Sequence, residues 1–161
     1  MKTSIFGMIA FILTLGFSAL GRSAMSKEDF QFKKGQSAYV VALKSNGSPD
    51  FSVEEKLRKE FKSKKAFRLA QSLSSADFVF AMYVEYEYNQ VAVSGIGIGS
   101  EDIKSASVFV VLPATYSQFK ADLDNLRDEA LWQFGKNNNM WRTGGLPVNI
   151  VKKFHKMALK K

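Results

Sequence analysis

Of all the residues in this chain, the acidic ones have the types and spacing best suited to catalysis or metal binding. Glu85 and Glu87 lie two apart in a run with the alternation of a β-strand, so both lie on one strand face. Glu101 and Asp102 come later and would approach them across a hairpin. Paired carboxylates act as general acid and base or bind a hard cation. A solvated strand face has the same pattern, and no second set of ligands accompanies it. We therefore predict no catalytic residue and no metal site.

The other chemistry-bearing residues exclude several kinds of site. The chain has no cysteine and one histidine, His155, so a zinc site and a Cys-His pair are excluded. His155 borders an apolar helical stripe, which is typical of a surface or boundary residue. The glycines of 95–99 lack the spacing of a phosphate-binding loop and precede two acidic residues, so they predict a hairpin tip. We expect no cofactor.

Basic residues are the second conspicuous feature. The formal net charge is +8, and lysine and arginine crowd residues 56–68 and the C-terminal segment. The pattern fits the solvated faces of two amphipathic helices, or a surface that attracts anionic lipids or envelope polymers. Nothing in the chain matches a nucleic-acid-binding motif, so we expect no nucleic-acid partner. The candidate residues for contact with an anionic surface are Lys152, Lys153, Lys156, Lys160 and Lys161.

The N-terminal segment predicts export. Lys2 precedes an apolar run over residues 5–20, and small residues end it, so residues 1–21 are interpreted as a signal peptide with cleavage after Gly21. The apolar run is shorter than the roughly 20 residues needed to span a bilayer. We expect a periplasmic or extracellular protein with no transmembrane span after cleavage. Residues 22–37 are predicted to be a flexible lead-in, and residues 38–161 a single domain.

Hydrophobic periodicity gives the elements that position these residues. It predicts a buried strand at 38–43, a helix at 53–64 opened by a capping box at Ser52, and a short edge strand at 66–71. A long strand begins at Phe78, and a returning strand spans 105–112. A helical stripe runs from Tyr116 towards Phe134, although 130–135 also fits a strand, and a last helix begins near Pro147. The fold class is an α/β sandwich, a mixed four- to five-stranded sheet with about three helices mainly on one face.

The long strand changes character along its length. From Phe78 to Val84 both faces are apolar, whereas beyond Val84 one face becomes acidic and tyrosines occupy the other. We interpret this as a strand that leaves the shelter of the helices midway, with Tyr86 and Tyr88 extending the packed face. Tyr83, Glu85 and Glu87 would lie where it emerges and are candidate partner contacts. Trp141 and Arg142 form a second candidate, because aromatic residues and arginine anchor many interfaces.

The order of elements resembles a known kind of domain. A strand, a helix and a short strand, followed by Ala76-Asp77-Phe78 opening a long hairpin, is similar to small periplasmic α/β domains. Examples are the curli-secretion lipoproteins, the penicillin-binding-protein activators and the N-terminal domain of the Tol-system β-propeller protein. The likeness covers about residues 38–112. The chain differs from the lipoproteins in lacking a lipid-acceptor cysteine. The resemblance implies a role in protein contact or assembly and carries over no functional residue.

These observations predict a non-enzymatic, exported binding or assembly protein of the bacterial cell envelope that contacts a protein partner. Two alternatives stay open. One is a basic protein that binds an anionic envelope surface or polymer. The other is a hydrolase or lyase that uses the carboxylates near the long hairpin, at Glu85 and Asp102.

Overall fold

The structure is a computed structural model that describes residues 26–93, 96–137 and 145–160; in the outer hairpin, at 89–93 and 96–101, it describes the backbone. Five strands and four α-helices make up the described part. The strands are β1 Ser37–Lys44, β2 Arg68–Leu69, β3 Phe78–Val93, β4 Ile96–Val111 and β5 Trp132–Asn137. The helices are α1 Phe51–Lys64, α2 Pro113–Phe119, α3 Leu123–Asp128 and α4 Leu146–Ala158. The predicted signal peptide, residues 1–21, lies outside the described residues.

The strands form one mixed sheet in the order β2-β1-β3-β4-β5. β1 runs parallel to β2 and β3, whereas β4 is antiparallel to β3 and β5. This confirms the predicted α/β sandwich and the edge position of the short second strand. Residues 130–135, for which helix and strand were both open, contribute to β5. Both faces of the central strand are covered, which explains the apolar start of β3 on both sides.

The two long helices lie on one face of the sheet. α1 buries Val53, Leu57 and Phe61, and α4 buries Ile150, Val151 and Phe154, as the four-residue and three-residue spacings predict. They pack on the even-numbered side of β3, where Phe78, Phe80 and Met82 are fully buried. α1 begins earlier than predicted. Its N-cap is Asp50, whose side chain accepts from the Val53 amide, so the capping box predicted at Ser52 is wrong.

The opposite face carries the two short helices. Tyr116 of α2 and Leu126 of α3 pack on Val79, Ala81 and Phe109. The sequence predicts one continuous helix here, and that prediction is wrong. Asp122 accepts from the Asn125 amide, 3.1 Å away, and so starts α3 as its N-cap.

Residues 26–36, most of the predicted lead-in, contain no helix or strand but contribute to the core. The rings of Phe30 and Phe32 are in edge contact, with centroids 5.0 Å apart. The Phe32 centroid lies 5.4 Å from that of Phe78 and 5.3 Å from that of Phe154. Both lead-in rings are partly buried against the larger core, which gives this segment fixed apolar contacts.

Asp77 joins the starts of the two central parallel strands. Its Oδ2 accepts from the Ser37 amide at 2.7 Å and from the Ser37 hydroxyl at 2.8 Å. The Asp77 amide in turn donates to the Ser37 carbonyl, 2.8 Å away. The aspartate of the Ala76-Asp77-Phe78 motif therefore fixes the register of β3 against β1.

Candidate functional site

The long hairpin projects beyond the rest of the sheet. The pairing of β1 with β3 ends at Lys44 and Val84, and the pairing of β5 with β4 ends at Asn137 and Ser105. Beyond these points, β3 and β4 pair only with each other among the described residues. We call this part, Glu85–Val93 with Ile96–Lys104, the outer ribbon. It confirms that the strand leaves the helix layer midway, where the sequence changes character.

A β-bulge marks the place where the outer ribbon leaves the sheet. Glu85 is opposite Ser105 and Tyr86 is opposite Ile103, so Lys104 is an extra residue on β4. A bulge bends its strand and increases the local twist. It also lets both Ile103 and Ala106 reach the α1 face of the sheet, where both are buried. The bulge therefore redirects the ribbon while keeping the core closed.

Both oxygens of the Glu85 carboxylate are engaged across the bulge. Lys104 Nζ donates to Oε1 at 2.8 Å, and the Ser105 hydroxyl donates to Oε2 at 2.9 Å. The hydrogen bond from Lys104, followed by that from Ser105, holds the pKa of Glu85 below its usual value. A general acid needs a raised pKa at neutral pH, so these contacts do not suit Glu85 to that role.

The other acidic residues of the ribbon lie as the hairpin predicts. Glu87 is exposed and lies directly opposite Asp102, and Tyr88 lies opposite Glu101. Among the described residues, no three histidine, cysteine or acidic side chains converge on a point that suits a metal ion. His155 lies in α4 and is buried, with 7% of its surface exposed. It is therefore not the surface or boundary residue that the sequence predicts.

Tyr83 is buried. It is 8% exposed, and its hydroxyl donates to the Lys120 carbonyl at 2.7 Å. Burial raises the pKa of this hydroxyl above its usual value. The sequence places Tyr83 with Glu85 and Glu87 because they share a strand face, but the end of α2 covers that face at Tyr83. Trp141 and Arg142 lie outside the described residues.

Two exposed aromatic residues lie next to the contact that joins the ribbon's root to the start of α1. The Tyr86 hydroxyl donates to Asp50 Oδ2, so the ribbon is attached to the start of α1. Phe51, the next residue after Asp50, is 75% exposed, and Tyr88, two residues along β3 from Tyr86, is 63% exposed. The prediction that Tyr88 extends the packed face is therefore wrong. We call Phe51, Tyr86 and Tyr88 the aromatic patch. Phe51 was not predicted as a site residue, because the helix was expected to begin at residue 53, which left Phe51 in the preceding loop.

The basic residues fall unevenly on the two long helices. In α1, Arg58 and Lys64 pair with Glu54 and Glu60, at 3.5 Å and 3.4 Å. From Ala130 to Lys161 the sequence contains no acidic residue. Lys152, Lys153, Lys156 and Lys160 are exposed, although Lys153 Nζ lies 4.4 Å from the centre of the Phe134 ring. Lys161 lies outside the described residues. The lysines of α4 therefore have no acidic residue on their own helix, whereas α1 carries three glutamates among its basic residues.

Comparison with known proteins gives little beyond this geometry. No known family matches the chain, and no curated protein matches it either. Similar solved structures include the PelC dodecamer from Paraburkholderia phytofirmans, 14% identical, covering 86% of this chain and 93% of that chain with a TM-score of 0.42. A variant of the same dodecamer, also 14% identical, covers 81% and 94% with a TM-score of 0.44. At these values the likeness supports no conclusion about function. Among the described residues, no helix has the length and apolar character that crossing a membrane requires.

Proposed function

We propose that this chain is an exported, non-enzymatic binding protein of the bacterial cell envelope, and that it contacts a protein partner through the outer ribbon. The observation that carries the proposal is the ribbon itself. Beyond Val84 and Ser105, both of its edges lack a strand neighbour among the described residues. Unpaired edge amides and carbonyls are a template for pairing with another chain.

The sequence of the outer ribbon favours a covered edge in the assembled state. From Gln90 to Ser100 it contains no charged residue and no proline. Proteins usually protect exposed edges with charges, proline or bulges, and here the charges and the bulge are confined to the root. A two-stranded ribbon is also only marginally stable in water on its own. A partner that covers the ribbon removes both disadvantages. The resemblance to periplasmic domains, which implies protein contact, points the same way.

The test is capture of partners from the envelope fraction of the native host. A tagged chain is compared with a ribbon variant, Val91→Lys with Ile98→Lys, which places charges on opposed positions of the two strands. A matched control, Gln118→Lys with Leu123→Lys, adds the same charge on the exposed surface of α2 and α3. We expect one or more proteins to be captured by the wild type and the control and lost from the ribbon variant.

Capture that is identical for all three chains would contradict the proposal. Circular dichroism melting of each purified chain verifies that the substitutions leave the fold intact. Fractionation of the host tests the export part of the proposal, because it requires a shortened chain in the periplasm or medium.

The exposed lysines of α4 favour a second candidate, a basic protein that binds an anionic envelope surface. Lys152, Lys153 and Lys156 have no acidic neighbour on their own helix. Each such lysine near an anionic membrane contributes about 1 kcal/mol of attraction. In this case the chain sediments with membranes, a high-salt wash releases it, and replacing the three lysines by glutamine has the effect of salt. Sedimentation that is insensitive to both would exclude this candidate.

A further inference from the structure

The aromatic patch is exposed in a way that folding does not require. Phe51 occupies the first position of α1, where its side chain reaches neither the core nor a capping contact. Among the described residues, Phe51 and Tyr88 are the two most exposed large hydrophobic side chains. The next two, Leu123 and Leu159, are each 39% exposed. Phe51 follows Asp50, which bonds to Tyr86, and Tyr88 shares the strand face of Tyr86, so both exposed residues belong to the segments that this contact joins. Exposed aromatic residues are typical of interaction sites.

The patch is held rigidly. The buried Asp50 accepts from Tyr86 with one carboxylate oxygen and from the Val53 amide with the other. Its own amide donates to the Ala42 carbonyl, 2.9 Å away. Tyr86 is also covered by Lys44, whose Nζ lies 5.5 Å from the ring centre. The backbone that carries Phe51 and Tyr88 is therefore tied to the fold, so little backbone entropy is lost when a partner binds there.

The other face of the same strand has the opposite chemistry. Side chains alternate along β3, so Glu85 and Glu87 lie on the face away from the aromatic patch. Glu87 is exposed, and Asp102 lies directly opposite it across the ribbon. This face of the root therefore presents the carboxylates of Glu87 and Asp102, in addition to Glu85, which pairs with Lys104, in a chain whose net charge is +8. This local charge favours a basic partner.

We propose, on the basis of the proposed function above, that the partner contributes an extended segment that pairs with β3 beyond Val84, and that this segment alternates apolar and basic residues. Neighbouring strands place opposed side chains on the same face. Residues opposed to Tyr88 therefore meet the aromatic patch and are apolar, and residues opposed to Glu87 meet carboxylates and are lysine or arginine. Backbone pairing supplies affinity, and the two faces supply specificity.

Synthetic peptides test this inference without the natural partner. The probe is a capped peptide of seven residues that alternates leucine and lysine, titrated into the purified chain by calorimetry. One control peptide has the same composition with the leucines and lysines in separate blocks, and another alternates leucine and glutamate. We expect the first peptide to bind at least about tenfold more tightly than either control, a difference of about 1.4 kcal/mol. Hydrogen exchange should then slow at the backbone amides of 87–93.

Variants of the chain identify the surface. The double variant Phe51→Ala with Tyr88→Ala should bind the alternating peptide at least about tenfold more weakly, because both apolar contacts are lost. Glu87→Lys should weaken binding of the alternating leucine-lysine peptide and strengthen binding of the leucine-glutamate peptide. The control substitutions Leu123→Ala and Glu129→Lys are at exposed positions on the α2 and α3 side of the sheet. They should leave the affinity of both peptides unchanged.

Equal binding of the alternating and block peptides, or full binding by the Phe51 and Tyr88 variant, would overturn the inference. These outcomes are distinct from failure of the proposed function. Ribbon-dependent capture from the host, combined with no preference for the alternating peptide, overturns the peptide chemistry alone. Capture that ignores the ribbon overturns the proposed function itself.

Discussion

The hydroxyl of Tyr86 donates a hydrogen bond to the buried carboxylate of Asp50, and this bond connects the root of the outer ribbon to the first turn of α1. Asp50 is 4% exposed and caps the helix at the same time. One carboxylate therefore fixes the helix start and the strand that leaves the sheet. The direction in which the ribbon projects depends on this contact together with the bulge at Lys104.

Removal of the Tyr86 hydroxyl should destabilise the fold. Tyr86→Phe leaves a buried carboxylate oxygen without its tyrosine donor, and we expect a loss of roughly 1–3 kcal/mol in the free energy of unfolding. Urea denaturation measures it. The control Tyr88→Phe removes a hydroxyl from a side chain that is 63% exposed, so it should change stability by less than about 0.5 kcal/mol. Equal losses for the two variants would contradict the assigned role of the Tyr86 contact.

The contact of Asp77 with Ser37 should also be structural. Asp77→Ala removes the acceptor of the Ser37 amide and hydroxyl, so we expect a loss of about 1–3 kcal/mol. Ser37→Ala removes only the hydroxyl and should cost less. Because the two residues share a bond, the double variant should be less destabilised than the sum of the single variants. Asp124→Ala, which breaks an exposed pair with Arg127, should cost about 0.5 kcal/mol or less. Additive losses at Asp77 and Ser37 would indicate that the residues are not coupled.

The buried His155 should make stability depend on pH. Its Nδ1 lies 2.9 Å from the Val151 carbonyl, which can only accept, so Nδ1 carries the proton and Nε2 has no hydrogen-bond partner. The rings of Phe61, Phe67 and Phe154 surround it. Burial lowers the pKa of His155 below 6.5, Lys64 lowers it further, and Glu60 and the Val151 contact oppose the shift.

A lowered pKa in the folded state means that the unfolded chain binds the proton more readily. The stabilisation from neutral His155 is complete above pH 6.5, the unfolded value, and is lost as the pH falls from there through the lower folded value. Urea denaturation at a series of pH values should show a steeper loss for the wild type than for His155→Leu, which cannot titrate. Parallel curves would show that His155 contributes nothing to the pH dependence.

The elements with strong periodicity could be predicted from the sequence. The apolar stripes of α1 and α4 and the alternation of β3 reflect the burial that forms them, so these three elements could be predicted. α2 and α3 were merged because Tyr116, Phe119, Leu123 and Leu126 continue one helical spacing across the break. The N-cap signal of Asp122 was present in the sequence but was outweighed by that spacing. Phe30 and Phe32 were missed because two aromatic residues in a polar segment have no period.

The candidate site was predictable only in part. The acidic alternation at Glu85 and Glu87 indicated where the strand leaves the sheet, and the hairpin placed Asp102 opposite Glu87 as expected. The bulge at Lys104 was not foreseen, because its only signal in the sequence is one break in the alternation, between Ile103 and Ala106. The burial of Tyr83 depends on where α2 ends, and the aromatic patch depends on the contact between Tyr86 and Asp50. Both are tertiary relationships between distant residues.

Photo-crosslinking in the living host tests the central claim most directly. A photoreactive phenylalanine analogue replaces Tyr88 in one strain and Leu123 in another, since both side chains are exposed but only the first lies on the outer ribbon. If the ribbon binds a protein partner in the envelope, irradiation yields a discrete adduct of higher mass from position 88 and none from position 123. The same adducts from both positions, or none from position 88 in a chain that is expressed and folded, would contradict the account.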